Sequence, residues 1–328
     1  MSFVCLAPQA GKKVVVIATG GTIAGRAASA ADHVGYTAGE VGVELLLAAV
    51  PDLDAWAVEA EQLAQIDSKD MDLGLWLRLH ERVQHHLGRP EVTGVVVTHG
   101  TDTLEETAYF LHRTLSTDKA VVLTAAMRPA SALVPDGPQN LLDAVALAGS
   151  GVLGGVVCAM AGQVWAADEV SKVHTYRTDA LSAGDAGPLG WVEAGHWRAV
   201  RPVVCPVECR PQSWPDARHW PRVELVFNHA GQDGTLVRAL LAAAAADAAF
   251  RVHGLVVAGT GNGTLHNGLE DALRLAQRQG VAVCRTTRCA QGRVLGEAPN
   301  WPTSPVASPF KARIHLMLEL LRTQKNPV

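Results

Sequence analysis

Four short runs constrain this chain more than any other feature. Lys13–Ala18 (KVVVIA), Thr93–Thr98 (TGVVVT), Ala120–Thr124 (AVVLT) and Gly154–Met160 (GGVVCAM) are apolar at successive positions rather than at alternate ones. A strand apolar on both faces must be covered on both faces, as parallel strands flanked by helices are. Segments of helical period lie between the runs: Val41–Val50, Asp70–Leu87, Leu104–Leu115 and Asn140–Ala148, the first stopped by Pro51. This alternation predicts parallel βαβ units.

At 328 residues the chain is longer than the roughly 250 that one core usually serves. Val200–Pro221 carries five prolines and no helical period, and reads as a linker. The alternation then restarts, with strands over Val223–Asn228, Gly254–Ala258 and Val281–Thr286. Helices are expected over Leu236–Ala249, Leu269–Gln279 and Phe310–Arg322. The expectation is two α/β domains with mainly parallel sheets: a larger one over 1–199, a linker over 200–221, and a smaller, flavodoxin-like one over 222–328.

A net charge of −4 speaks against a nucleic-acid partner. The longest apolar stretches, such as Leu45–Val50 and Ala239–Ala246, fall far short of the ~20 residues that span a bilayer, so no membrane is expected. Six cysteines in so long a chain are no disulfide framework. Cys205-x3-Cys209 and Cys284-x4-Cys289 are loosely spaced for zinc and no histidine pair completes them. No metal and no cofactor are expected. The first residues lack a basic segment before an apolar run, which favours the cytoplasm, or the periplasm if a leader has been removed.

In open parallel sheets, ligands bind beyond the carboxyl ends of the strands. After the first run comes Ala18-Thr19-Gly20-Gly21-Thr22-Ile23-Ala24-Gly25, followed by a small, polar, glycine-punctuated stretch to Glu40 that contains Tyr36. The stretch reads as a lid, a nucleotide loop or a plain turn with Thr22 as a helix cap. It matches neither Gly-x-Gly-x-x-Gly nor a Walker sequence. After the second run, Thr103-x-x-Glu106 fits a capping box and leaves Thr101 and Asp102 at the strand tip. Asp102 can cap the helix or serve a ligand. His80-Glu81-x-x-x-His85 has one residue too many for a zincin helix.

The chain has seven lysines against 21 arginines. An internal lysine in such a chain draws notice, because lysine can lose its proton and arginine cannot. Lys172 follows the strand that ends near residue 160. It is either a solvated side chain or, with Thr101, a hydroxyl–amine pair with the logic of Ser–Lys catalysis.

Together, ATGGTIAG at 18–25 and VVTHGTDTLEETAYFL at 96–111 closely resemble the two signature segments of the bacterial L-asparaginase family. GYTAGEVGVELL at 35–46, DSKDM at 67–71, AAMRP at 125–129, DGPQNL at 136–141 and the Lys172 segment resemble its type II branch. GTGNGTL at 259–265 and FKAR at 310–313 carry the likeness through nearly the whole chain.

The resemblance implies hydrolysis of L-asparagine to L-aspartate and ammonia through an acyl-enzyme. It implies Thr22 as nucleophile, assisted by Tyr36, and Thr101, Asp102 and Lys172 as a second catalytic group. Gly21, Ser68, Lys69, Thr101, Asp102, Ala126 and Glu297 would line the substrate, with Ser68 on its carboxylate and Asp102 on its amine. It further implies a homotetramer in which a neighbour closes each site, with Glu297 as the acidic residue contributed there. Lys69 departs from the Gln or Glu usual at that position and puts a like charge near the substrate amine. Two alternatives remain: a dual glutaminase–asparaginase, and a catalytically weak amino-acid-binding protein. A tRNA-dependent amidotransferase component would carry a further N-terminal domain.

Overall fold

A computed structural model describes residues 3–32, 34–204, 214–296 and 301–323. The chain divides into two compact units, Met1–Glu208 and Cys209–Val328. Residues 205–213, the middle of the expected linker, lie outside the described residues, as does Glu297.

The larger unit contains strands β1 (Phe3–Cys5), β2 (Lys13–Gly20), β3 (Arg26–Ala27), β4 (Tyr36–Thr37), β5 (Val58–Ile66), β6 (Val92–Thr98), β7 (Ala120–Thr124), β8 (Gly155–Met160) and β9 (Gln163–Ala166). It continues with β10 (Ser171–Lys172), β11 (Leu181–Ser182), β12 (Gly190–Glu193) and β13 (His196–Ala199). Its helices are α1 (Val43–Ala48), α2 (Leu73–Leu87), α3 (Leu104–Thr114) and α4 (Gly137–Ser150).

Nine strands form one sheet in the order β1-β13-β12-β9-β8-β7-β6-β2-β5. The run β5-β2-β6-β7-β8 is parallel throughout. Val15, Val16, Ile17, Val95, Val96, Val97, Val121, Val122 and Leu123 are all fully buried, which explains runs apolar on both faces. One face, with Val14, Val16, Val96 and Val122, packs on Leu141, Val145 and Ala148 of α4 and on Val43 and Leu46 of α1. Side chains of opposite parity point to the other face, where α2 and α3 lie.

Beyond β8 the sheet turns antiparallel through β9, β12, β13 and β1. The sheet is therefore mixed, its parallel half as expected and its antiparallel half made of strands the sequence did not assign. No α-helix lies between β8, β9, β12 and β13, so the alternation that exposed the parallel half was absent. β5 was also missed: its residues alternate in exposure along the sheet edge and include charged side chains.

The flavodoxin-like order expected of the smaller domain is found in the larger one. In chain order, β5-β2-β6-β7-β8 reads 2-1-3-4-5, with its switch point between β2 and β6. Local sequence sets each element but not its neighbour in the sheet. The smaller unit has β14 (Val223–Phe227), β15 (Gly254–Gly259) and β16 (Ala282–Thr287), parallel and in chain order among the described residues. Its helices are α5 (Thr235–Ala246), α6 (Asn267–Arg278) and α7 (Pro309–Thr323). Val226, Leu255 and Val257 meet Val237, Leu269 and Leu273 in its core. The Gly259–Gly263 segment forms a tight turn closed by reciprocal Thr260–Thr264 backbone bonds of 2.9 and 2.8 Å.

Candidate active site

Three loops meet at the switch point, and glycine lets them. Gly21, just past β2, has φ +81, and a Cβ there would lie 2.4 Å from the Gly100 backbone nitrogen. A Cβ on Gly100, past β6, would lie 2.4 Å from Ser68 Oγ. Both distances are shorter than any side chain tolerates, so the loops at 20–22, 67–70 and 98–103 close on one another only with glycine at these two places.

Thr22 opens a one-turn 3-10 helix, Thr22–Ala24, and is buried. The turn has no side-chain cap. The Thr22 hydroxyl instead lies 2.5 Å from the Tyr36 hydroxyl. Tyr36 reaches it from β4, which pairs with β3 as a small antiparallel hairpin. The segment expected as a structureless lid is thus partly ordered and anchored. Ala27 N–H donates to Ser131 Oγ at 2.8 Å, and Ala130 N–H donates to the Gly25 carbonyl at 3.0 Å.

At the tip of β6, Thr101 is buried and the Asp102 side chain is 53% exposed. Lys172 Nζ lies 2.9 Å from Thr101 Oγ1 and 2.6 Å from Asp102 Oδ1. Lys172 comes from β10, held in register by pairing with Leu181. Its side chain is 20% exposed, which sets aside the solvated reading. A cation at hydrogen-bond distance from a hydroxyl oxygen favours the deprotonated form of that hydroxyl. Asp102 is spent on Lys172 rather than on a helix end.

Ser68 is buried at the start of a 3-10 turn over Ser68–Asp70, whose preceding Asp67 side chain accepts from Lys69 N–H. Thr103 precedes α3 as predicted, but its hydroxyl makes no helix cap. It donates to the Ser68 carbonyl at 2.7 Å, so the residue that begins α3 also ties down the Ser68 loop. The sequence reading explained Thr103 by capping alone and missed this link. α2 begins at Leu73 rather than Asp70, capped by Asp72 Oδ1 accepting from Leu75 N–H at 2.7 Å.

Lys69 is turned outward. Its ammonium lies 2.6 Å from Asp67 Oδ2 and 3.7 Å from Asp70 Oδ2, and its side chain is 62% exposed. The hydrogen bond it donates to Asp67 raises its pKa further. Lys69 is therefore not gathered with Thr22, Thr101 and Lys172 in the way its neighbour Ser68 is.

Ala126 is wholly buried. It and Ile23, the residue after Thr22, both pack against Gly137. Met127 and Arg128 N–H donate to the two oxygens of Asp136 at 3.0 and 2.9 Å. Asp136 precedes α4 without capping it and instead shapes the 126–128 turn, a role sequence reasoning did not assign.

A separate cavity of about 510 Å³ is lined by Arg128, Asp136, Gln139, Asp143 and Thr178, among others. Burial pushes the Asp143 carboxyl up to about 6, opposed by a hydrogen bond from Gln139. It contains no hydroxyl–amine pair like that at the switch point. Among the described residues no group of three or more His, Cys, Asp or Glu side chains could hold a metal ion.

Comparison with known proteins follows the same lines. The description "Asparaginase, N-terminal" matches residues 13–204, and "Glutaminase/Asparaginase C-terminal domain" matches residues 222–327. The chain is 38% identical to a glutaminase-asparaginase of Pseudomonas fluorescens biotype A, over 95% of this chain and 87% of that one. It is 36% identical to L-asparaginase 2 of Escherichia coli, over 96% and 90%. A crystal structure of a probable cytoplasmic L-asparaginase from Campylobacter jejuni superposes with a TM-score of 0.84 at 33% identity, covering 96% of each chain.

Proposed function

This chain belongs to the asparaginase family, and we propose that it hydrolyses L-asparagine to L-aspartate and ammonia through a Thr22 acyl-enzyme. The observation that carries this reading is the presence of two hydroxyl pairs at adjacent strand tips. Thr22–Tyr36 follows β2, and Thr101–Lys172 with Asp102 follows β6.

An unassisted hydroxyl is a weak nucleophile. In the proposed first half, Thr22 Oγ1 attacks the side-chain amide carbonyl. Its proton passes to the Tyr36 oxygen as the Tyr36 proton goes to the departing nitrogen, which leaves as ammonia. In the second half, water attacks the ester as Thr101 Oγ1 takes a proton from it and passes its own to Lys172 in its neutral form; the Thr22 oxygen leaves with the Tyr36 proton, and return of the Lys172 proton to Tyr36 through Thr101 and solvent resets both pairs. Backbone N–H groups at the glycine-rich strand ends would stabilise the oxyanion, each worth about 3–4 kcal/mol. Ser68 would hold the substrate carboxylate and Asp102 its ammonium, opposite charges to opposite ends.

Ammonia release from L-asparagine, lost in Thr22→Ala and in Lys172→Met, tests the assignment; full activity in both variants would sink it. The second reading, a dual glutaminase–asparaginase, is favoured by the Pseudomonas fluorescens relative. Comparing kcat/KM for the two amides decides it. A homotetramer is proposed on the family resemblance, and a solution mass of one protomer would refute it. The cytoplasm is the proposed compartment; among the described residues Cys5 and Cys289 are exposed and form no disulfide, and thiols stay reduced in that compartment.

A further inference from the structure

The imidazole of His99 is completely buried one residue before Gly100, and the mechanism above does not use it. Both ring nitrogens are engaged. Nδ1 lies 2.8 Å from the Gly100 carbonyl oxygen, and Nε2 lies 3.0 Å from Thr107 Oγ1. Thr107 Oγ1 in turn lies 2.9 Å from Trp76 Nε1. These three bonds have only one consistent direction in the neutral ring. The Gly100 carbonyl can only accept, so Nδ1 carries the proton and Nε2 accepts. Thr107 therefore donates to Nε2, and Trp76, which can only donate, supplies Thr107. Burial pushes the imidazole down to about 4, which keeps the ring neutral at pH 7.

The path starts on α2, crosses to α3 and ends on the tip of β6. Trp76 is itself fixed by stacking on Phe110 at 5.1 Å. At the other end, a trans peptide points its C=O and N–H in opposite directions. Holding the Gly100 carbonyl toward the His99 ring thus aims the Thr101 N–H away from that ring and sets the plane from which Thr101 Oγ1 meets Lys172 Nζ. We propose that His99 is a positioning residue whose Nδ1–H tautomer, fixed by the Trp76–Thr107 relay, orients the Gly100–Thr101 peptide for the reaction. The proposal rests on the asparaginase reading for its kinetic consequence, though not for the tautomer itself.

Thr107 gives the cleanest test, because shape and hydroxyl can be separated there. Thr107→Val keeps the volume and deletes the donor to His99; Thr107→Ser keeps the donor and deletes a methyl. A relay predicts that Val lowers kcat for L-asparagine at least tenfold with KM little changed, while Ser stays within a few-fold of the parent; misplacing a reacting group by an ångström has effects of about 10²-fold. A packing role predicts the reverse order, and Val as active as Ser would overturn the proposal. Should Thr107→Val fail to fold, Trp76→Phe removes the indole donor while keeping the stack, and the same drop in kcat is expected. Independently, long-range ¹H–¹⁵N correlation spectra of the full chain at pH 7 should show His99 protonated at Nδ1 alone; protonation at Nε2 would overturn the proposal. If the parent protein releases no ammonia from L-asparagine, the functional reading fails while the spectrum still decides the tautomer.

Discussion

Lys172 Nζ lies 2.9 Å from Thr101 Oγ1, although 71 positions separate the two in the chain. The two-residue strand that carries Lys172 brings them together, and the same nitrogen reaches Asp102. The distance makes the amine a partner of the hydroxyl rather than a distant charge.

If Lys172 must exchange a proton with Thr101, a fixed cation will not replace it. Lys172→Arg keeps the charge but cannot deprotonate. We expect it to lose about 10²-fold or more in kcat, a loss comparable to that of Lys172→Met and of the size general acid–base catalysis supplies. Steady-state kinetics of the two variants provide the check. Arg retaining more than about a tenth of the activity would mean that the amine acts only through its charge.

Tyr36 reaches the Thr22 hydroxyl with its own, at 2.5 Å. Tyr36→Phe should therefore leave the unfolding midpoint nearly unchanged while kcat falls by roughly 10²-fold. Equal kcat in the variant would remove Tyr36 from the proton path.

The hairpin that carries Tyr36 is held by Ser131 accepting from Ala27 N–H. Ser131→Ala removes one such bond, worth about 1 kcal/mol. The expected outcome is faster hydrogen exchange at the Ala27 amide, about fivefold, which is the factor that 1 kcal/mol represents. Unchanged exchange there would show that other bonds hold the hairpin.

Gly100→Ala would place a Cβ 2.4 Å from Ser68 Oγ and 3.2 Å from Gly21 Cα. Neither the Ser68 turn nor the Gly21 backbone can yield without moving the site. A loss of about 1–3 kcal/mol, the usual cost of overpacking, is expected in denaturant unfolding, together with a large fall in activity. An alanine variant of full stability would show that the two loops have room the structure does not contain.

The signatures at residues 18–25 and 96–111 were legible because strand-tip chemistry is local: the strand, the glycines and the hydroxyls are contiguous in sequence. The inner parallel strands β2, β6, β7 and β8 announced themselves by successive apolar positions, whereas the parallel edge strand β5 carries charged residues and did not. The antiparallel strands β9, β12 and β13 did not, because each is only four residues long and no α-helix separates them. Thr103 illustrates a subtler limit. Its capping box is readable, but whether a hydroxyl turns to its own helix or to a loop 35 residues earlier depends on what the fold brings beside it. His99 was in plain view inside a quoted motif. Thr107 stands in the same motif, but the relay could not be read there, because the direction of the bonds depends on Trp76, which α2 brings in from another part of the chain.

Two buried groups give opposite contributions to stability against pH. The His99 imidazole is pushed down to about 4 from the ordinary 6.5. Its depressed folded value means that its stabilising effect is complete above pH 6.5 and is lost as pH falls toward 4, by about 3 kcal/mol. Asp143 is pushed up to about 6 from the ordinary 3.8. Its raised folded value means that its contribution is complete below pH 3.8 and is lost as pH rises toward 6, again by about 3 kcal/mol. Between pH 4 and 6 the two slopes oppose each other, while carboxylates held low by arginine, such as Glu59 beside Arg89, lose their contribution only below about 4.5. The parent protein should therefore show a shallow stability profile from pH 6.5 to 4. In Asp143→Asn the His99 slope stands alone, and the denaturant midpoint should fall steadily across that range. Parallel profiles for parent and variant would show that Asp143 does not offset His99.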